Sequence, residues 1–391
     1  MGRRGKHGFG LSLVAGALLL ASSCSGSSTQ TATGGASTTA PTATATTGTA
    51  AGSTAGSTVG TIPAGGASST TVATASGSTT PAKATGAAKP SAGCQATSTA
   101  TVGAFEDITI DMAGTPRTYR RFVPKSATTG VPVPLVLDFH GLTGRSAQEA
   151  IVTGWEARAE ADHLVVVTPQ GAGRVPSWTA TPVDDNPDTA FIDALIDKTV
   201  AEQCIDESRI YANGISNGGL ESSILSCKLP DRIAAVGLVS GIVVPDVCKT
   251  VTPKPAVVFW GKLDCVLPYA GGLGPCLFGG KPGDKPPAPN ADGTSVPPVE
   301  DAVAAWAARN GCDPQPAVTN PGEHVEKRTY TGCQDDAAVE LYVVANGGHT
   351  WPGSKIAAAR DKDPNAPQGI TTMEIDATDL IWAFFQRFQT R

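Results

Sequence analysis

One short segment of the chain combines a serine with closely spaced glycines. Gly214, Ser216 and Gly218 form Gly-x-Ser-x-Gly between the strand-like run Arg209–Ala212 and the helix-compatible stretch Leu220–Lys228. A strand, a sharp turn and a helix in this order expose the serine hydroxyl at the top of a sheet and over a helix N-terminus, where developing negative charge is stabilised. The pattern therefore predicts an activated serine nucleophile. A glycine-rich turn that merely contains a serine is the alternative interpretation.

A serine hydroxyl attacks only when a nearby base takes its proton, and a histidine usually serves. The chain has five histidines. His349 lies in the loop that follows the strand-like run Val339–Val344, so we predict it as the base. The other four lie in a basic leader, at the start of an apolar run, among charged residues and in a His-Gly dipeptide, respectively: His7, His163, His324 and His140.

A carboxylate must orient the histidine. When the serine lies on a turn between a strand and a helix, this carboxylate comes after the serine and before the histidine along the chain. Asp264 directly follows the apolar run Ala256–Trp260 and its Gly-Lys-Leu extension. It is thus expected beyond the carboxyl end of a strand, at the same edge of the sheet as the serine. Asp231, which precedes its strand, and Asp246, in a plain turn, are the competing candidates.

Backbone amides must also stabilise the oxyanion of an acyl-transfer intermediate. The apolar run Pro134–Phe139 leads into His140 and Gly141, a context in which the loop supplies one donor. The residue after the nucleophile supplies the second donor. We therefore predict the backbone N–H groups of Leu142 and Asn217 as the oxyanion hole, and His140 as a residue that holds the loop.

Four motifs together resemble a known family: Phe139-His-Gly, Tyr211-Ala-Asn-Gly-Ile-Ser-Asn-Gly-Gly, Trp260-Gly-Lys-Leu-Asp and Gly347-Gly-His-Thr-Trp-Pro-Gly. They are similar to secreted bacterial esterases of the polyhydroxybutyrate-depolymerase and feruloyl-esterase group, within the first carbohydrate esterase family. The resemblance covers residues 94–391 and implies Ser216, Asp264 and His349 as a catalytic triad. Two departures lie beside the expected pocket. Leu142 replaces a small or polar residue, and a Gly/Pro-rich stretch, Gly271–Pro298, is inserted after the acid loop.

The N-terminal quarter of the chain has the composition of a targeting segment and a tether. Residues 1–24 combine basic residues, a short apolar run and Cys24 after small residues, which predicts a signal peptide with a lipid-attachment cysteine. The leucine usual three residues before the cysteine is displaced by one, to Leu20. A plain secretory signal is therefore the alternative. Residues 25–93 are almost entirely Ser, Thr, Ala, Gly and Pro, which predicts a disordered linker.

Residues 94–391 alternate between strand and helix patterns, which predicts an α/β-hydrolase catalytic domain with a mostly parallel central sheet flanked by helices. An N-terminal antiparallel hairpin is expected from Ile108–Met112 and Arg117–Val123. A capping box of Ser146 and Glu149 predicts one helix near residues 147–161, and Thr371 with Glu374 predicts the start of the last helix. A helix is predicted at Val299–Trp306, before Gly311. Further strands are predicted at Leu135–Phe139, Leu164–Thr168, Arg209–Ala212, Ala234–Val239, Ala256–Trp260 and Val339–Val344.

The nine cysteines fit an exported protein. If Cys24 carries lipid, the remaining even number suits disulfides in an oxidising compartment. Metal binding is the alternative, but the sequence has neither a Cys-x-x-Cys pair nor clustered histidines, so we expect no metal and no other cofactor. The predicted pairs are Cys312–Cys333, Cys265–Cys276, Cys204–Cys227 and, by elimination, Cys94–Cys248.

Net charge and composition narrow the function further. A formal net charge of −6 with 16% charged residues gives no basic patch for nucleic acid. We expect an exported, membrane-anchored or secreted monomeric serine esterase that hydrolyses polyhydroxyalkanoate-type, feruloyl or acetyl esters. Trp178 and Trp351 are candidates for its pocket wall, although either could be a core residue. A serine peptidase or amidase with the same triad, and a non-catalytic binding lipoprotein on a hydrolase scaffold, are the alternatives.

Overall fold

In a computed structural model of the chain, parallel strands occupy the centre of one ten-stranded sheet and antiparallel strands close both edges. The structure describes residues 83–127, 130–243, 252–287, 296–363 and 368–391. The spatial order of the strands is β1-β2-β4-β3-β5-β6-β7-β10-β9-β8. Their bounds are β1 Phe105–Met112, β2 Thr115–Phe122, β3 Val133–Phe139, β4 Val165–Pro169, β5 Ile205–Ile215, β6 Ile233–Val239, β7 Ala256–Gly261, β8 Ala317–Thr319, β9 Val325–Tyr330 and β10 Val339–Val344.

The central strands β4, β3, β5, β6, β7 and β10 run parallel to one another. They read as apolar runs because helices cover both faces of a parallel sheet, and every residue of β6 and β7 is buried. The N-terminal hairpin of β1 and β2 agrees with the sequence prediction. Strands β8 and β9 were not predicted. β8 is exposed along its whole length and β9 is rich in charged residues, so neither carries an apolar signal.

Seven α-helices flank the sheet within the described residues. Their bounds are α1 Ser146–Thr153, α2 Trp155–Asp162, α3 Pro187–Glu202, α4 Asn217–Lys228, α5 Val299–Arg309, α6 Lys355–Ala358 and α7 Ala377–Phe385. Alternate residues of β3 enter two apolar cores: Leu135 and Leu137 pack on the side of α3, α4 and α5, and Val136 packs on the side of α2 and α7. No helix in these ranges is long and apolar enough to cross a membrane.

Two predicted helix caps were wrong. Gly154, at φ 64°, separates α1 from α2, so the expected single helix is broken. The N-cap of α1 is Arg145, and the amide of Ser146 donates to the side chain of Gln170 instead of joining a capping box. The last helix begins at Ala377, where the carboxylate of Asp376 accepts from the backbone of Asp379. Aspartate is a favoured N-cap residue, and a cap at Asp376 leaves Thr371 and Glu374 outside the helix.

The folded domain begins before residue 94, the domain start predicted from the sequence. The Ala84 amide donates to Gln386, the Ser91 amide donates to Ile205, and the Lys89 carbonyl accepts from Glu207. These backbone bonds fix the last residues of the predicted linker against β5 and the C-terminus. The signal segment, Cys24 and the linker up to residue 82 lie outside the described residues.

The cysteine pairs correct half of the predicted connectivity. Cys265–Cys276 and Cys312–Cys333 are bonded as predicted. Cys94 is bonded to Cys204, so the predicted Cys94–Cys248 and Cys204–Cys227 pairs were wrong. The reason lies in the segment before residue 94: its backbone contacts with β5 bring Cys94 next to Cys204, which immediately precedes that strand. Cys248 lies outside the described residues.

Two carboxyl groups, Asp138 of β3 and Glu149 of α1, are buried between the strand and the helix. Burial raises the pKa of Asp138, at the end of β3, to about 7, although the hydroxyl of Thr153 donates to its Oδ2 and partly opposes this rise. Burial and the neighbouring Asp138 also raise the pKa of Glu149 well above its ordinary value. Oδ1 of Asp138 and Oε1 of Glu149 have no hydrogen-bond partner. Ionisation of Asp138 at neutral pH therefore opposes folding.

We predict that Asp138→Asn stabilises the protein increasingly as pH rises from about 4, where an unfolded aspartate titrates, to about 7. Because the folded-state pKa is the higher one, the stability from Asp138 is fully present at low pH and is lost as pH rises through this window. Urea unfolding at several pH values measures the difference between variant and wild type. The exposed Asp107→Asn controls for the change in charge. A difference for Asp138→Asn that is the same at every pH would contradict the prediction.

Candidate active site

Ser216 stands at the turn between β5 and α4, with φ 57° and ψ −122°. Residues other than glycine rarely adopt this conformation, which costs energy and is typical of a nucleophile held on a sharp turn. The two glycines of the motif are required by space. A Cβ on Gly214 or Gly218 would lie 2.5 Å or 2.0 Å from the carbonyl oxygen of Phe139. The strand that ends at Phe139 therefore packs directly against this turn.

Asp264 and His349 meet on two neighbouring loops. They follow β7 and β10, which pair in parallel register up to Gly261 and Val344, so both loops leave the same edge of the sheet. Nδ1 of His349 lies 2.7 Å from Oδ2 of Asp264, and both side chains are buried. A carboxylate only accepts hydrogen bonds, so Nδ1 carries the proton and Nε2 keeps a free lone pair.

The other oxygen of Asp264 is held by the backbone. Oδ1 accepts from the amides of Val266 and Leu267, at 2.9 and 2.8 Å. These two bonds fix the carboxylate plane and leave Oδ2 for His349. The Cys265–Cys276 disulfide begins at the next residue, so the acid loop is also tied covalently to the inserted Gly/Pro-rich stretch. Residues 288–295 of that stretch lie outside the described residues.

The His-Gly loop follows β3 and touches the serine turn. A Cβ on Gly141 would lie 3.4 Å from the Cβ of Ser216. The loop therefore lies beside the nucleophile, where the Leu142 amide was predicted to act. Asn217, the residue predicted to carry the second donor, is the first residue of α4 and is buried.

His140 holds the loop through both nitrogens of its ring. Nε2 accepts from the amide of Gly171 at 2.9 Å, which leaves the proton on Nδ1, 2.7 Å from the carbonyl oxygen of Gly141. Burial lowers the pKa of His140, although the bond to Gly141 opposes this shift. The ring is thus neutral and used for binding the loop. This arrangement agrees with the prediction that His140 is not the base.

Neither tryptophan predicted for the pocket wall is at the surface. Trp178 is 3% exposed and its indole Nε1 donates to the carbonyl oxygen of His140 at 2.8 Å. Trp351 is 1% exposed and donates to Thr378. Both are interior residues, which is the alternative that the sequence analysis left open for each. The N–H of a buried indole usually finds a hydrogen-bond partner, and the sequence does not reveal those partners.

Exposed apolar side chains flank the histidine loop instead. Leu263, next to Asp264, is 60% exposed, and its amide donates to Gly347. Ile370 is 51% exposed, and its carbonyl accepts from Gly348. Both exposed residues are thus bonded through their backbones to the two glycines that precede His349. The sequence did not single them out, because the residues before Ile370 carry no strand or helix pattern. Within the described ranges, no three carboxylate, histidine or cysteine side chains cluster as a metal site would require.

The sheet order and the loops that carry Ser216, Asp264 and His349 define the α/β-hydrolase fold. Residues 118–262 match the family model described as Esterase PHB depolymerase. The match contains the His-Gly loop and the serine turn. It ends two residues before Asp264, so His349 lies outside it.

Curated relatives cover more of the chain at modest identity. Feruloyl esterase B of Piromyces equi is 30% identical over 249 residues, which are 60% of this chain and 42% of that protein. Putative esterase NocK of Nocardia uniformis subsp. tsuyamanensis is 26% identical over 261 residues, 62% of this chain and 72% of the relative. Poly(3-hydroxyalkanoate) depolymerase C of Paucimonas lemoignei is 25% identical over 243 residues, 58% of each chain. The chain thus spans less than half of the first relative.

Proposed function

We propose that the protein is a serine esterase that hydrolyses carboxylic esters through a covalent acyl-enzyme. The observation that carries the proposal is the His349–Asp264 pair, buried and 2.7 Å apart, at the same edge of the sheet as the strained Ser216 turn. The match of residues 118–262 to the esterase family model and the relatives named as esterases and a depolymerase support the same class of reaction.

The proposed reaction follows from the site. Nε2 of His349 takes the proton of the Ser216 hydroxyl while Oγ of Ser216 attacks the ester carbonyl carbon. Asp264 stabilises the imidazolium that forms on His349. The backbone N–H groups of Leu142 and Asn217 donate to the oxyanion of the tetrahedral intermediate. His349 then gives its proton to the leaving alcohol. A water activated by the same histidine hydrolyses the acyl-enzyme and releases Ser216 and the acid.

The substrate class that we propose is an ester with an apolar acyl group. Two exposed apolar residues, Leu263 and Ile370, are bonded through their backbones to the loop that carries His349, and exposed aliphatic side chains at this loop would suit such a group. Feruloyl esters and 3-hydroxyalkanoate esters are the two candidates, since relatives carry both names. A purified protein is assayed with p-nitrophenyl acetate, methyl ferulate and a 3-hydroxybutyrate oligomer. If none of the three esters is hydrolysed, the proposed function is contradicted. The preferred substrate of the last two identifies the acyl class, feruloyl or 3-hydroxyalkanoate.

We further propose that the enzyme is exported and anchored to the membrane through lipid on Cys24. The three described disulfides suit an oxidising compartment. In the native host, wild-type protein should partition into detergent, whereas Cys24→Ser should be released or remain unprocessed. Identical partitioning of the two proteins in Triton X-114, together with identical cleavage of their signal segments, would contradict the anchor and leave the export proposal standing.

A further inference from the structure

We infer that the side chains of Asn217 and Trp178 are positioning residues that align the two oxyanion donors with each other. This inference rests on the proposed function, because it assigns these side chains to the predicted oxyanion hole of Leu142 and Asn217. It departs from the sequence prediction, in which Trp178 contacted substrate and Asn217 contributed only its backbone.

The first link joins the serine turn to the loop after β4. The amide side chain of Asn217 bonds to both main-chain groups of Trp178: Oδ1 accepts from the Trp178 amide at 2.7 Å, and Nδ2 donates to the Trp178 carbonyl at 3.1 Å. Two bonds to one residue fix both its distance and its orientation. Asn217 is 4% exposed, so water does not compete strongly for these groups.

The second link joins Trp178 to the His-Gly loop. The indole Nε1 donates to the carbonyl oxygen of His140 at 2.8 Å, and the ring packs edge-on against Phe139. The same loop is fixed a second time, since the Thr143 amide donates to the Pro176 carbonyl at 2.8 Å. The segment that ends at Trp178 therefore lies between the serine turn and the His-Gly loop and bonds to both.

The third link reaches the donor itself. The His140 ring holds the carbonyl oxygen of Gly141, which also accepts from the Gly144 amide at 3.0 Å. That carbonyl belongs to the same planar trans peptide as the Leu142 N–H, and in such a unit the C=O and N–H point in opposite directions. Holding the Gly141 oxygen therefore sets the direction of the Leu142 donor.

Together the three links form a continuous path of hydrogen bonds from one donor to the other. It starts at Asn217, whose backbone carries one donor, and runs through Trp178 and His140 to the peptide that carries the other. An oxyanion hole works only when its donors are already aimed at the position of the developing charge. Loss of a link in the middle should leave both donors present but misaligned, so the transition state should lose more than the substrate.

The test is Trp178→Phe, which keeps an aromatic ring and removes the indole N–H. We expect kcat for p-nitrophenyl acetate to fall about 10- to 100-fold, less than the loss of a whole oxyanion donor, with KM changed less than about threefold. Affinity for phenylboronic acid, which forms a tetrahedral adduct with a reactive serine, should fall by a similar factor. Asn217→Ala should give the same pattern, and the double variant should be little worse than the poorer single one, because both break one path.

Trp306→Phe is the matched control. Its indole also donates to a buried carbonyl, that of Lys254, but at the opposite end of the sheet from Ser216. A loss of kcat equal in Trp178→Phe and Trp306→Phe, or equal weakening of substrate and boronate, would overturn the inference and leave the esterase intact. A wild-type protein without esterase activity would instead overturn the proposed function. If Trp178→Phe does not fold, Asn217→Ala decides between the same outcomes.

Discussion

Ser216→Ala should lower kcat for p-nitrophenyl acetate by about 10⁶-fold, since losing the nucleophile removes the whole acyl-enzyme route. The fold should be unchanged, because the replacement keeps a Cβ and removes only the hydroxyl oxygen. Alanine has to adopt the same φ of 57°, so the backbone strain remains as well. Initial rates with the purified variant, together with its unfolding midpoint, measure the two effects separately.

The three triad replacements should be strongly non-additive. His349→Ala should cost about as much as Ser216→Ala, and the double variant should be hardly worse than either, because serine and histidine act as one unit. Asp264→Asn should cost less, roughly 10⁴-fold, since the nucleophile and base remain while the imidazole tautomer is wrong. Near-normal turnover in Asp264→Asn would contradict its assignment as the acid, and retention of activity in Ser216→Ala would contradict the mechanism.

The loops that carry Ser216, Asp264 and His349 could be placed from the sequence because their signals are local. Glycine on both sides of Ser216, and apolar runs that end just before Asp264 and close to His349, are properties of single segments. Parallel strands then bring the loops to one edge, since every strand of the central sheet ends there. Asp231 also falls between Ser216 and His349 along the chain, so order alone does not separate it from Asp264. Its position before β6, at the other end of the sheet, is what favoured Asp264.

The features that the sequence left open or misplaced depend on contacts between distant segments, which no local pattern encodes. The burial of Trp178 depends on a carbonyl 38 residues earlier in the chain and on a side chain 39 residues later. Strand β9 has few apolar residues and forms because it pairs with β10 at the sheet edge. Gly154 breaks a helix that the capping box predicted as continuous, since a glycine at positive φ ends α1 at little cost.

The cysteine pairing failed for the same reason, and it leads to the second large effect that we expect. Cys94–Cys204 closes a loop with a sequence separation of 110 residues, far longer than the 21 residues of Cys312–Cys333. Both cysteines lie at the amino end of β5, the opposite end from Ser216. The contacts of Ser91 with Ile205 and Gln203 hold the segment in the folded state without the disulfide. The effect of the bond is therefore expected mainly in the unfolded chain.

Replacing Cys94 and Cys204 together with alanine should lower the free energy of unfolding by about 5 kcal/mol, because the unfolded chain regains the entropy of a long loop. Replacing Cys312 and Cys333 in the same way should cost about 3 kcal/mol, since the entropy of closure grows with loop length. Urea unfolding of both double variants under non-reducing conditions measures the two values, and esterase activity at 25 °C should survive in each. A larger loss from the short loop would show that native contacts, rather than chain entropy, determine the contribution of these bonds.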